Sequence, residues 1–345
     1  MPTPPQTDLV AIDVGGANLK AADGRGWTQA VAFPLWQEWQ RLPEALAGLV
    51  GPVTPRRVVA TMTGEIADCY PSRAAGVAHI VDAVLTAAAA MRCVDTPGIY
   101  LLDGRIVSAA EAKADPLNAA ASNWHALARL AAAHAPTDRA LLIDVGSTTV
   151  DVVPIIGGMP APRAHDDAGR LLAGELVYTG IERTPLAAVV RWLPHRGLRR
   201  PVAAERFADS RDVWLLRGGL PERPDATDTA DGGPATRDAA RIRLARSLLV
   251  EPADFSLTDA AAAAAAFAAR QARLVARAIG RVVTGCGWRP TSVVIAGHGE
   301  QLARMAIDRA CLSGPLVSLP EVLGADVSRA APAHALALIA RGVLA

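Results

Sequence analysis

Lysine is almost missing from this chain. Of its 35 basic residues two are lysines, Lys20 and Lys113, and the others are arginines. That usage fits a GC-rich coding sequence, and it singles out Lys20, which sits inside a glycine loop. A lysine kept where arginine fills the comparable positions suits a need for a compact point charge, with chance survival as the competing explanation. Cysteine is scarce as well: Cys69, Cys93, Cys286 and Cys311 form no C-x-x-C pair and no regular spacing. Neither a zinc ribbon nor a disulfide framework is expected, and a reducing cytoplasm is the expected compartment. No excess of one charge is present, since 34 acidic residues leave a net charge of +1. There is no global field to draw in nucleic acid or an anionic membrane, so recognition has to be local. Residues 1–8 are proline-rich and polar and lack the basic and apolar regions of a signal peptide. Long apolar runs are absent too: 78–94 is interrupted by Asp82, and 260–269 is short and alanine-rich. Both read as helices of a soluble protein rather than membrane spans.

What is present begins with size. A chain of 345 residues exceeds what one hydrophobic core usually supports, so two lobes are expected. An internal repeat supports that division. The stretch 10–20, an apolar strand followed by Asp13-Val14-Gly15-Gly16 and a small polar turn to Lys20, returns in form over 141–151 as Asp144-Val145-Gly146-Ser147-Thr148-Thr149 and on to Asp151. Turn signals follow both copies, at 23–26 and at Gly157-Gly158. Between the copies, strands are expected over 57–61 and 98–102 and helices over 74–91 and 123–134. After the second copy, a helix is expected over 185–192. The stretch 220–236, rich in Pro, Gly and Asp, reads as a mobile surface insertion. Helices over 239–249 and 259–284 follow, the second capped by Ser256 or Thr258 and closed by Gly285. A short buried strand at 292–296 leads into Gly297-His298-Gly299-Glu300. The expected organisation is a first lobe over 1–136, a second over 137–330, and a closing helix over 331–345. The fold class is α/β.

A strand that ends in Asp-x-Gly puts a carboxylate at its tip and backbone amides around a concavity, a donor set suited to Mg²⁺ and to phosphate oxygens. In the first copy Gly15 and Gly16 allow close approach while Asn18 and Lys20 donate. In the second, Gly146, Ser147, Thr148 and Thr149 offer amides and hydroxyls. Asp13 and Asp144 are the candidate metal ligands. Gly297, Gly299 and Glu300 follow a buried strand and open a helix, a further place for an anion or nucleoside. The chain has no Gly-x4-Gly-Lys-Ser/Thr loop and no strand followed by Gly-x-Gly-x2-Gly, so neither a P-loop nor a Rossmann site is expected. Glu65 and Asp68 are candidate acid–base groups where a strand gives way to a helix, with helix capping as the plainer alternative for that segment. Asn123 and Trp124 are candidates for lining a substrate slot, the plainer alternative being a core tryptophan. His125 and His298 lack a second His or Cys at ligand spacing and read as structural. Cys69 lacks a patterned His partner for nucleophilic work.

The two Asp-x-Gly loops and the late Gly-x-Gly resemble the two phosphate loops and the adenosine loop of the acetate and sugar kinase, heat-shock-protein and actin superfamily. That resemblance implies a two-lobed, duplicated actin-like (ribonuclease H-like) fold with its ligand cleft between the lobes and its last helix packed on the first lobe. A narrower resemblance runs through 12–20, Thr61-Met62-Thr63-Gly64-Glu65-Ile66-Ala67-Asp68-Cys69, Ala121-Ser122-Asn123-Trp124, 144–151, 174–180 with Arg183-Thr184-Pro185, and Thr229-Ala230-Asp231-Gly232. These segments are similar to hydantoinase/oxoprolinase-related proteins of tetrahydromethanopterin-linked one-carbon metabolism. The resemblance implies a transferase of methanofuran-type cofactor synthesis. It would join an aminomethyl-furanmethanol diphosphate to the phenol oxygen of a γ-glutamyl-tyramine or its tyrosine counterpart, with release of diphosphate. Mg²⁺ at Asp13 and Asp144, together with Lys20, would neutralise the leaving group. Glu65, Asp68 and Asp151 are the candidates for receiving the phenol proton, unranked at this level. Two other readings stay open. One is an ATP-dependent kinase or amide-activating enzyme; the other is a non-enzymatic sensor built on the same cleft, made less attractive by the absence of a helix-turn-helix or basic arm. Oligomeric state is left open.

Overall fold

The computed structural model describes residues 6–51 and 53–344. Residues 1–5, Pro52 and Ala345 lie outside the described residues, and with them part of the proline-rich N-terminal stretch and the last residue of the expected closing segment. The chain divides into two compact units: one of 1–140, 155–167 and 317–345, and a second of 141–154 and 168–316. The boundary expected at 136/137 is therefore more complex, because 155–167 and everything after Leu316 belong to the first unit.

The first sheet contains β1 (Gln6–Val14), β2 (Asn18–Ala22), β3 (Thr28–Ala32), β4 (Thr54–Met62), β5 (Gly98–Tyr100) and β6 (Ile106–Val107) in the order β3-β2-β1-β4-β5-β6. β1 pairs antiparallel with β2 and parallel with β4, in a register that sets Asp13 opposite both Lys20 and Thr61. β1 is apolar and buried over Leu9-Val10-Ala11-Ile12, as a central strand covered on both faces requires. The helix Arg73–Ala90, capped by the Ser72 side chain, buries Val77, Ile80, Val81 and Val84 in the core of this unit. It is long and apolar enough, by length and composition, to cross a membrane, and 44% of it is buried inside this structure. The helix Ala331–Ala340 packs on β1 and β4 and on the helix Asn123–His134.

The second sheet contains β7 (Arg139–Val145), β8 (Val150–Ile156), β9 (Met159–Pro160), β10 (Leu176–Val177), β13 (Ser292–Gly297) and β14 (Leu316–Ser318), ordered β10-β8-β7-β13-β14 with β9 on β8. β11 (Trp192–His195) and β12 (Leu198–Pro201) form a separate hairpin. The two sheets have the duplicated α/β organisation of the actin-like fold. The expected helix over 185–192 is cut to Leu186–Val189, because Trp192 enters β11, whose tight turn at Arg196-Gly197 takes positive φ at both residues. The long helix runs Leu257–Cys286, opened by a capping box of Ser256 and Asp259. It ends at Gly287, φ 72°, rather than Gly285, since the left-handed cap falls after the last turn.

The segment 220–236, read from sequence as mobile, is tied down. Arg223 and Ala235 bond each other through their backbones, Arg211 binds Asp228 at 2.8 Å, and Asp231 accepts from buried Arg243 at 2.9 Å and from Arg246 at 2.8 Å. Its polar composition is that of a loop stitched by charged hydrogen bonds to two neighbouring helices, Ser210–Leu216 and Arg237–Ser247.

Candidate functional site

In the first unit the chemistry gathers at the end of β1. Asp13 is 2% exposed; Lys20 Nζ lies 3.7 Å from its Oδ2, and Asn123 Nδ2 donates to Oδ1 at 3.4 Å. The β1–β2 register explains the first contact, since directly opposed residues of an antiparallel pair project to the same face. Asn123 arrives as the first residue of its helix. Burial pushes the Asp13 carboxyl above its ordinary range, while Lys20 and Asn123 pull the other way. The following turn is closed by Gly15 N donating to Asn18 O at 3.1 Å, and a Cβ at Gly15 would stand 2.8 Å from that oxygen. Gly16 has open space beside it and Asn18 is exposed.

The segment after β4 leans on this loop. Thr63 N and Gly64 N both donate to Val14 O at 2.9 Å, and a side chain at Gly64 would meet Val14 O at 3.2 Å. Next comes Glu65, whose backbone touches the first turn of the helix Arg73–Ala90 so closely that a Cβ at Gly76 would collide with the Glu65 carbonyl oxygen. Glu65 is 1% exposed, and neither carboxylate oxygen has a hydrogen-bond partner among the described residues. Burial raises its pKa to about 7; the Asp167 carboxylate adds to the rise, while Arg73 and the nearby amides of Glu65 and Ala121, which fall short of hydrogen-bond geometry, oppose it. Ala121 takes a left-handed φ of 49°, and the next residue, Ser122, shares a 2.8 Å hydroxyl bond with Thr61. Asp68 is exposed. Trp124 is buried, its ring edge-on to His125, which in turn meets the Tyr100 hydroxyl at 2.8 Å.

The second unit repeats the turn. Gly146 N donates to Thr149 O at 3.0 Å, the counterpart of the Gly15–Asn18 bond. Two further segments close on it. Ile181 N donates to Gly146 O at 3.1 Å, and Glu182 N and Arg183 N both donate to Ser147 O at 3.0 Å; a side chain at Gly180 would collide with Ser147. On the other side Gly299 N donates to Val145 O at 3.1 Å, and Gly297 takes φ 78° with its Cβ direction blocked by Val145 O and Asp144 Oδ1. The 179–184 turn is held by a buried relay: Trp214 Nε1 donates to Gln271 Oε1 at 3.0 Å, and Gln271 Nε2 donates to Thr179 Oγ1 at 2.9 Å and Gly180 O at 2.8 Å. Beside Gly299 lies a cavity of about 310 Å³ lined by Ile181, Trp214, His298, Glu300, Gln301 and Arg304 among others. Glu300 is paired with Arg304, and Glu182 with His298 at 2.9 Å and Arg211 at 2.8 Å. Burial pushes the Glu182 carboxyl up, but His298, Arg211 and Arg223 together hold it below its usual value. Asp151, just past the loop, accepts from the buried Arg170 guanidinium at 2.9 Å.

Thus Asp13, Lys20 and Asn123 come together, Asp144 packs against Gly297 at the glycine turn, and Asp151 is engaged by Arg170. Glu182, Gln271, Arg73 and Asp167 had no local signal, for each gains its place only through tertiary contact. No group of three or more His, Cys, Asp or Glu among the described residues is arranged to hold a metal. Asp13 and Asp144 each offer one carboxylate beside a ring of amides. Within each unit a single carboxylate, with phosphate oxygens and water making up the rest, is a donor set that Mg²⁺ accepts.

A hydantoinase/oxoprolinase family model matches residues 56–180. A protein of Methanocaldococcus jannaschii named (4-{4-[2-(gamma-L-glutamylamino)ethyl]phenoxymethyl}furan-2-yl)methanamine synthase is 31% identical over 339 residues, 95% of this chain and 96% of that one. A Methanococcus vannielii protein of the same name is 29% identical over 59% of this chain and 91% of its own. Among solved structures, nucleotide-free acetone carboxylase superposes with a TM-score of 0.52 at 12% identity, over 88% of this chain and 49% of that one, a likeness of fold. With identity above 30% sustained along nearly the full length of both sequences, the chain belongs to the (4-{4-[2-(gamma-L-glutamylamino)ethyl]phenoxymethyl}furan-2-yl)methanamine synthase family.

Proposed function

We propose that the protein is a transferase that builds an aryl ether. The phenol oxygen of a γ-glutamyl-tyramine or its tyrosine counterpart attacks the CH₂ carbon of an aminomethyl-furanmethanol diphosphate, and diphosphate leaves. The observation that carries this reading is the end-to-end relationship to the M. jannaschii synthase. The two glycine turns, each closed by an equivalent amide bond, support it, because amides and a lysine suit a diphosphate.

The amides that follow Gly15 and Gly146 in the two turns would cradle the anion, with Asn18 and the hydroxyls of Ser147, Thr148 and Thr149 adding donors. Lys20 would supply a point charge where negative charge grows as the carbon–oxygen bond breaks. Gly297, Gly299 and Glu300 are assigned to the same ligand, and Asn123 and Trp124 to the substrate wall. Asp13 and Asp144 would hold Mg²⁺, whose contribution when bound is to neutralise the leaving diphosphate. The phenol, with a reference pKa near 10, has to lose its proton as its oxygen bonds to carbon. Glu65, Asp68 and Asp151 are the carboxylates considered for that step. Four free cysteines suit a reducing cytoplasm as the place of work.

Diphosphate release by the purified protein, with Mg²⁺, the furan diphosphate and each phenol in turn, tests the reading beside a parallel ATP-turnover assay. Release that depends on the phenol, with an ether product of matching mass, is expected and identifies the acceptor. Silence there together with substrate-stimulated ATP hydrolysis would transfer the protein to the ATP-dependent reading.

A further inference from the structure

Resting on that reaction, we propose that Glu65 is the group that takes the phenol proton and that the Arg73–Asp167 ion pair tunes its readiness to do so. The geometry starts from the segment Thr63-Gly64-Glu65. Two of its amides are bonded to the Val14 carbonyl, so Glu65 is fixed immediately beside the first glycine turn. Its carboxylate is buried and has no hydrogen-bond partner among the described residues. A buried polar group left unpaired is costly and is not kept for stability. The other two carboxylates differ on this point: Asp151 is engaged by Arg170, and Asp68 is exposed.

The neighbours supply the tuning. Arg73 opens the helix whose Gly76, three residues on and so on the same face, abuts the Glu65 backbone. Arg73 Nη2 is bound to Asp167 Oδ2 at 2.6 Å. The fields of both reach the Glu65 carboxyl, Arg73 lowering its proton affinity and Asp167 raising it. The outcome, a carboxyl poised near 7, is that of a base matched to neutral pH. Contact with a phenol requires the cover over Glu65 to give, and the left-handed Ala121 turn is the strained element beside it.

In the step itself the phenol O–H bond breaks and its proton goes to a Glu65 oxygen. The phenol oxygen's electron pair forms the O–CH₂ bond, and the CH₂–O bond to diphosphate breaks with its pair leaving on diphosphate. Glu65 then returns the proton to solvent. Arg73 and Asp167 are positioning residues that act through Glu65.

The test is diphosphate release by the full-length protein from pH 5.5 to 9, for wild type, Glu65→Gln, Asp167→Asn and Arg73→Gln. Glu65→Gln is expected to lower kcat by on the order of 10²-fold or more while KM stays within about threefold, and its melting temperature at pH 8 should be equal to or above that of wild type. Asp167→Asn should move the acid limb of kcat/KM to lower pH and Arg73→Gln to higher pH, each by roughly half a unit. Titrations of the substrates are common to all four proteins and drop out of the comparison. Opposite shifts from the two partners of one ion pair are what a purely structural role does not produce, and they remain readable if Glu65→Gln fails to fold. An active wild type with Glu65→Gln retaining kcat within about threefold, or with both limbs unmoved, overturns the assignment alone. A wild type that releases no diphosphate overturns the reaction first and this assignment with it.

Discussion

At the residue scale the strongest consequence concerns Glu65 and pH. Its carboxyl is displaced from 4.5 to about 7 by burial, which corresponds to about 3 kcal/mol. Between those values the folded protein keeps a proton that the unfolded chain has released, so stability falls as pH rises through that window and the penalty is complete above it. Glu65→Gln should flatten this dependence and raise unfolding stability at pH 8 by up to about 3 kcal/mol, with little change near pH 4. Urea melts at the two pH values measure it; a variant less stable at pH 8 would mean that the carboxylate has an ionic partner after all. Lys20 was conspicuous in the sequence for its rarity and proves to be the cation beside Asp13. Lys20→Ala should leave the buried Asp13 carboxyl still harder to ionise and weaken diphosphate binding, seen as a rise in KM of on the order of 10-fold or more. Unchanged kinetics would remove Lys20 from the site. Glu65 was legible as a candidate and no further, since nothing in 61–69 announces that both its oxygens end up buried with no hydrogen-bond partner among the described residues.

At the scale of elements, glycines decide how closely chain segments approach the two turns. Gly76 lies within a helix, where alanine is ordinarily the better residue by about 1 kcal/mol. Here the added methyl would strike the Glu65 backbone. Gly76→Ala should therefore destabilise, by about 1–3 kcal/mol, and reduce activity by displacing Glu65; thermal melts together with diphosphate release check both halves. The same logic, reinforced by a positive φ, applies to Gly297 against Val145 and Asp144. Elements were legible where the signal was local. The capping box of Ser256 and Asp259, the buried run of β13 and the paired Asp-x-Gly turns all lie within a few residues of sequence. The misread elements depended on distant partners. Leu186–Val189 stops early because its continuation is needed for β11, and 220–236 is ordered by Arg211, Arg243 and Arg246 from outside the segment.

At the scale of the whole molecule the duplication is the organising fact, and it was legible because each copy repeats a strand, a carboxylate and a glycine turn in the same order. The ends of the units were not legible where 155–167 and 317–330 return to the first unit, which is a matter of which core accepts them. The repeat also fixes what a ligand should do to the protein as a whole. A diphosphate bound with Mg²⁺ favours only the folded state, so at 100 times its Kd it should add about 2.7 kcal/mol of stability. For a chain of this size that is a rise in Tm of roughly 3–4 °C. The expected order is diphosphate with Mg²⁺ well above ATP with Mg²⁺, and EDTA should cut the rise to a small remainder, since phosphate oxygens and a carboxylate repel each other without a cation. Asp13→Asn and Asp144→Asn should each reduce the Mg²⁺-dependent part while leaving a smaller, salt-sensitive rise from Lys20 and the amides. If the full rise persists in EDTA, the turns bind the anion unaided and neither aspartate is a metal ligand; if ATP matches diphosphate, the nucleotide has to be restored to the account of this site.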